Sequence, residues 1–397
     1  MDTGFIPSDM PNSAAPAKDD DLDVLRLIRS RRVGPATFHR LMAQHGGATA
    51  ALEALPEIAA EAGMTDYEAC PEGVAAAELN AGRKAGARLI RCDSPLYPAQ
   101  LRQIDGAPPI LWVRGDPAWL SRNPVAVIGA RNASSLGLRM ARGMAAGLGE
   151  AGHTVVAGLA RGIDTAAHNA ALGSGTVAVM AGGVDVIYPA ENVVLAAQIA
   201  EQGVLVSEQA PGTEPAARHF PTRNRIVSGL SRAVVVIEAA HRSGTLITAR
   251  NALDQGREVM AVPGHPMDAR AAGCNALIRD GALLVRNSAD VAAALMSRPG
   301  EAPARSTELS ANAGPIPAPR SAAGDAQRSA TPSRIADQGG PVNLESRILS
   351  RLTPSPTEEN DLIRDLGVPA AAACAAILSL ELQGRLTRLA GGRLALS

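Results

Sequence analysis

A chain of 397 residues is too long for one ordinary domain and predicts roughly two to four. Hydrophobic residues make up 46% but aromatics only 2%, so a sizeable core has to be built from Ala, Val, Leu and Ile. The formal net charge of -1 excludes a globally basic nucleic-acid binder and confines any polyanion site to a local patch.

Residues 1–20 are polar, contain prolines and end in acidic residues, which predicts disorder; they lack the basic and apolar regions of a signal peptide. Residues 21–88 read as a small helical domain. Within it a Gly34-Pro35 turn precedes Phe38, Leu41 and Met42 at helical spacing, as in a SAM or helix-hairpin-helix fold. Such a hairpin can meet phosphate through backbone N–H groups, although packing alone accounts for the pattern. Residues 89–122 carry Pro95, Pro98, Pro108, Pro109 and Pro117 and read as a connector.

The texture changes over residues 123–297. Runs at 125–129, 154–158, 176–180, 204–208, 233–238 and 258–264 are apolar throughout and alternate with Ala-rich helical stretches. Strands buried on both faces and separated by helices predict an α/β, Rossmann-like, doubly wound and mostly parallel sheet. Residues 298–340, rich in Pro, Ala, Ser and Gly without periodicity, read as a flexible linker. In residues 341–397 three helical segments meeting a turn at Gly367 precede a hairpin turning at Gly391-Gly392, the elements of a winged helix. Its third helix, from about Ala370 to Gln383, has no Arg or Lys, so protein contact explains it as well as groove reading does.

Cys70, Cys92, Cys274 and Cys374 are far apart and form no CxxC pair, which fits a reducing compartment and predicts no metal site. No cofactor is expected: the glycines do not follow GxGxxG, and no P-loop lysine is present. No stretch reaches the roughly 18 apolar residues of a membrane span, so the expectation is a soluble, cytoplasmic protein.

In a doubly wound sheet, ligands bind just past the strand ends where strand order reverses. After the first run, Gly129 and Arg131 precede Ser134 and a helix, a geometry suited to phosphate but equally to a structural turn. After the second, Gly158, Arg161 and Gly162 can approach a ligand, with Asp164 as a candidate N-cap. His168 falls four residues later on the same helical face, so the pair could be an acid/base couple or a buried His with its carboxylate. The richest segment surrounds Phe220, Arg223, Asn224 and Arg225, where a ring and cations could stack bases and hold phosphates. Arg223 and Arg225 cannot both face the core of one helix. The turn Arg242-Ser243-Gly244-Thr245 then opens another helix and offers N–H groups and hydroxyls to phosphate. His265 follows at the far side of the same region, or is a loop residue without a role.

The strings VIGAR, GLARGIDTAAH, AGGVDVIYP, FPTRNRIVSGLSRAVVVIEA, RSGTLITARNA, AVPG and GCNALIRDGA follow one another between about 125 and 282. Together they resemble the DNA-processing protein A (DprA or Smf) family of bacterial natural transformation. The resemblance implies a non-catalytic protein that binds single-stranded DNA without sequence preference and dimerises through its Rossmann-like domain. It also implies protection of incoming DNA and loading of the recombinase RecA, with displacement of single-strand-binding protein. Carried onto this chain, the DNA site comprises Arg131, Phe220, Arg223, Asn224, Arg225, Ser243, Gly244 and Thr245, with Gly129 and Arg161 beside them. Thr222 stands where the family often has a basic residue. A competing reading is a nucleotide-cleaving phosphoribohydrolase, but those enzymes carry a glutamate after the Gly-Thr turn, and HRSGTLITAR has none. Glu238, before the turn, is instead a candidate to orient an arginine.

Overall fold

Six apolar runs, each too uniformly hydrophobic to leave one face in water, lie side by side at the centre of the molecule. A computed structural model describes residues 20–296, 341–352, 357–366, 368–389 and 392–396. The expected tail at 1–20 (save Asp20), the linker at 298–340 and the turn residues Gly367 and Gly391 lie outside the described residues.

The runs become strands β3 (Val125–Ile128), β4 (Val155–Ala157), β5 (Thr176–Val179), β6 (Val204–Ser207), β7 (Ala233–Val236) and β8 (Glu258–Ala261). They pair in parallel in the order β6-β5-β4-β3-β7-β8, and the short β9 (Leu283–Leu284) extends the β8 edge. Alternate residues point to opposite faces. Val125 and Val127 pack with Ala141, Met144 and Leu148 of the Ser135–Glu150 helix, while Ala126 and Ile128 pack with Ile226, Val227 and Leu230 of the His219–Leu230 helix. Both faces are therefore covered, as the uniform hydrophobicity of the runs requires.

The proline-containing segment expected as a connector does more than connect. It forms β1 (Arg88–Arg91) and β2 (Ile110–Gly115), which add to the same sheet antiparallel, with Val113 opposite Val206. Trp112 of β2 is 1% exposed and packs into the core of the N-terminal helices with Phe38, Leu41 and Leu55. Its indole N–H donates to Glu78, whose carboxylate also takes two bonds from Arg29 at 2.9 and 2.8 Å. The helical domain is thus keyed into the sheet by one strand. Within that domain Pro35 opens the Pro35–His45 helix and Gly46, with φ 76°, ends it.

The C-terminal helices Pro341–Arg351, Glu359–Leu366 and Ala370–Leu382 stand with a three-stranded sheet of β10 (Thr357–Glu358), β11 (Leu386–Leu389) and β12 (Arg393–Leu396). This is a winged helix, with β10 added to the expected hairpin. Leu378 and Leu382 pack on Ala62 at the end of the Ala48–Glu61 helix, and Arg40 pairs with Glu381 at 3.1 Å. Among the described residues no helix is long and apolar enough to cross a membrane.

Candidate nucleic-acid interface

From β3 the chain winds outward through β4, β5 and β6, then returns to the other side of β3 for β7 and β8. The loops leaving β3 and β7 therefore diverge, and a crevice opens at the strand ends. It is a cleft of about 700 Å³. Of the ten expected site residues the structure brings eight to its walls: Gly129, Arg131, Phe220, Arg223, Asn224, Ser243, Gly244 and Thr245.

Two helix N-termini approach the cleft, and they differ. Ser134 caps the Ser135–Glu150 helix through Gly137 N–H at 2.9 Å. Its own N–H and hydroxyl both donate to the Glu238 carboxylate. That head, read as a phosphate site, already holds an anion. Glu238 is hydrogen-bonded to this serine, and its charge also acts on Arg270. The other helix, Gly244–Asp254, is capped by Ser243 and has no acidic residue in its first turn. Thr245 donates to Gly129 O at 3.1 Å, tying the two loops together, and Gly244 is exposed to open space. This second head faces the cleft unopposed.

The arginines also separate. Arg131 is exposed, with its guanidinium 5.3 Å from the centroid of the half-buried Phe220 ring. Arg223 is buried: it donates to Gly158 O and Val179 O at the ends of β4 and β5. Gly158 has no side chain because a Cβ there would run into this guanidinium. Burial lowers the Arg223 pKa to about 10, against the opposing pull of Asp164, so it stays charged at neutral pH. Arg225 points away. It binds Glu208 at 2.6 Å and Gly106 O at 3.1 Å, and lines a separate cleft of about 1210 Å³ between the sheet, the N-terminal helices and the winged helix. Arg161 is exposed, paired with Glu191 at 2.8 Å, and outside the cleft wall.

Asp164 is not the N-cap expected of it. Gly162 holds that position, and Asp164 sits in the first turn, accepting from Gly158 N–H at 2.9 Å and Ala160 N–H at 3.3 Å. Burial raises its pKa, with Arg223 working the other way. Nor is it hydrogen-bonded to His168. That ring donates from Nδ1 to Thr176 Oγ at 2.8 Å, since the hydroxyl already donates to Val155 O. Its Nε2 has no partner among the described residues. Burial lowers the His168 pKa to about 3, so it is neutral at pH 7. His265 binds only its own loop, accepting from Met267 N–H at 3.2 Å, and does not line the cleft.

Arg242 and Arg270 complete the wall. Arg242 belongs to a turn visible in the sequence, but Arg270 was missed. The only signal for it was position, a cation in the loop after a parallel strand. Four arginines (131, 223, 242 and 270) and one carboxylate, the buried Asp164, are the charged groups lining the cleft, and Arg270 is paired at its edge with Asp268 at 3.1 Å. Among the described residues no cluster of three or more His, Cys, Asp or Glu could hold a metal ion. The arrangement can grip an anionic chain and stack a base.

Comparison with known proteins agrees with this architecture. The family model for DNA recombination-mediator protein A matches residues 88–296. Models for a DprA-like N-terminal HHH domain and a DprA winged helix domain match 18–81 and 321–392. The chain is 45% identical over 199 residues to the DNA processing protein DprA of Streptococcus pneumoniae, covering 50% of this chain and 70% of that one. It is 45% identical over 206 residues to the protein Smf of Escherichia coli, covering 51% and 55%. The X-ray structure of DprA from Streptococcus pneumoniae superposes with a TM-score of 0.59 at 33% identity, covering 70% of this chain and 98% of that one.

Proposed function

Since the chain belongs to the DNA recombination-mediator protein A (DprA/Smf) family, we propose that it binds single-stranded DNA in the cleft at the switch point of its sheet. The observation that carries the reading is the charge of that cleft: four arginines, of which Arg270 is paired with Asp268, against one buried aspartate in the lining, with the head of the Gly244–Asp254 helix left open. Phosphates go to Arg131, Arg242, Arg270 and the Ser243-Gly244-Thr245 turn, and a base stacks on Phe220 beside Asn224. None of these groups reads a base edge in a fixed pattern, so binding is indifferent to sequence.

Family membership supports the wider role. The protein protects incoming DNA during natural transformation and loads RecA onto it, as a homodimer through the sheet domain, in the cytoplasm. The role is one of binding rather than catalysis. Glu238 is engaged by Ser134, Asp164 by two backbone N–H groups, and neither stands free to attack or protonate a substrate. The first turn after Ser243 carries no acid where a phosphoribohydrolase has its glutamate.

Titration of oligo-dT at several salt concentrations tests the reading. Log affinity should fall linearly with log salt, by about 0.7 per phosphate contacted. Salt-independent binding, or steady release of free base from nucleoside monophosphates, would overturn it.

A further inference from the structure

Most aromatic rings of the described residues are covered. Among the described residues Phe38, Tyr67, Tyr97 and Trp112 are buried, and Trp119 is half-buried under the Arg122 guanidinium. Tyr188 is the exception, 53% exposed on the loop that follows β5. An exposed ring in so ring-poor a protein marks a contact surface more than a packing need.

Its position gives the surface a meaning. The Tyr188 ring meets Phe220 edge to face, with centroids 5.8 Å apart and planes at 66°. Phe220 in turn carries the Arg131 guanidinium at 5.3 Å. Arg131, Phe220 and Tyr188 therefore form a continuous line from the cleft outward past the end of β5. Tyr188 does not line the cleft itself. The open helix head and Arg242 follow β7, and Arg270 follows β8, on the opposite side of β3. The helix head, Arg242 and Arg270 thus occupy one end of the crevice, and the rings, with Arg131 over Phe220, the other. Just past Tyr188, Glu191 holds the exposed Arg161 at 2.8 Å, a cation beyond the cleft wall whose pairing partner is itself exposed.

Resting on the single-strand reading of the cleft, we propose that the DNA leaves it over Tyr188, a second base-stacking ring, with Arg161 beside it to meet the next phosphate. The strand then crosses the strand ends from the β8 side toward the β5 side. An exposed ring can accept any base, because each has a π-face. Arg161 exchanges Glu191 for phosphate when the DNA arrives, a small cost because both partners of that pair are solvated.

A length series separates this path from simple buttressing of Phe220. The full chain and its Tyr188→Ala and Tyr188→Phe variants are titrated with labelled oligo-dT of about 4 to about 16 nucleotides. For the shortest oligomer, which fills only the cleft, Tyr188→Ala should bind within about twofold of wild type. For the longest it should bind about tenfold more weakly, the loss of one stacked base. Tyr188→Phe, which keeps the ring, should match wild type at every length. A wild-type to Tyr188→Ala ratio that does not change with length overturns the path. If flat near one, the ring is idle; if flat near ten, it only holds Phe220. Wild-type protein that binds no oligomer of any length overturns the cleft reading as well.

Discussion

Glu238, just past the end of β7, closes the head of the helix that follows β3 by accepting from both the N–H and the hydroxyl of Ser134. A carboxylate at a helix N-terminus has the sign that the helix dipole favours. This is why only one of the two helix heads at the crevice is free for phosphate. Glu238→Ala removes two charge-assisted bonds and should lower unfolding free energy by about 2 kcal/mol. The check is a lower urea midpoint at unchanged slope. Gly137→Ala should act in the same direction although Ala is the better helix former, because the added Cβ would stand 2.6 Å from Glu238 Oε2.

Arg131 and Arg225 were expected to share one site, and their substitutions should now diverge. Arg131 is exposed on the cleft, so Arg131→Ala should reduce the slope of log affinity against log salt by about 0.7 and leave stability nearly unchanged. Arg225 is held by Glu208 and by Gly106 O. Arg225→Ala should leave the salt slope intact and cost roughly 1–3 kcal/mol of stability through the unpaired carboxylate. Equal changes in slope would return Arg225 to the DNA.

Burial of His168 should make the protein sensitive to mild acid. Its folded pKa of about 3 lies below the ordinary 6.5, so the unfolded chain takes up a proton that the folded one refuses. Stability from this group is complete above pH 6.5 and is lost as pH falls from there toward 3. Asp164 has the opposite sign: its pKa is raised, so falling pH toward its ordinary value of 3.8 favours the fold. The clean quantity is therefore the difference between wild type and His168→Asn. That difference should shrink by about 2 kcal/mol between pH 6.5 and pH 5, read from urea midpoints. A constant difference would mean that the ring is protonated in the fold.

The sheet was legible because strands buried on both faces must be apolar at every position, and β3 to β8 are. β1 was hidden because it is a four-residue edge strand bounded by arginines, and β2, an interior strand, because Pro108, Pro109 and Pro117 flank it. The cleft was legible for a topological reason: Gly129–Arg131 and Ser243–Thr245 follow β3 and β7, between which the strand order reverses. What sequence left open was the facing of each arginine on the His219–Leu230 helix. Arg223 lies on the stripe of Ile226, Val227 and Leu230, at spacings of three, four and seven, and all four are buried. Helical periodicity alone puts Arg223 inward and Arg225 away from it. Chemistry resisted that conclusion, since a buried guanidinium needs acceptors, and these come from β4 and β5, far off in sequence.

Arg223 fixes the floor of the cleft from beneath. It joins the carbonyls of Gly158 and Val179, and Asp164 beside it takes the N–H groups of Gly158 and Ala160. Between them Leu159 is held at φ 55°, a strained conformation for a bulky residue, with its carbonyl bound by Asn192 at 2.9 Å. Removing the guanidinium leaves a buried carboxylate without its cation and two carbonyls without a donor. Arg223→Ala should therefore cost about 3–5 kcal/mol of stability. Arg223→Lys should recover only part of it, because a single ammonium cannot reproduce the planar fork. The decisive comparison is thermal melting beside oligo-dT affinity measured well below the melting point. A variant as stable as wild type yet unable to bind would show that Arg223 reaches the DNA itself. Loss of stability with an unchanged salt slope would place it under the site, holding the loop that Arg131 and Phe220 face.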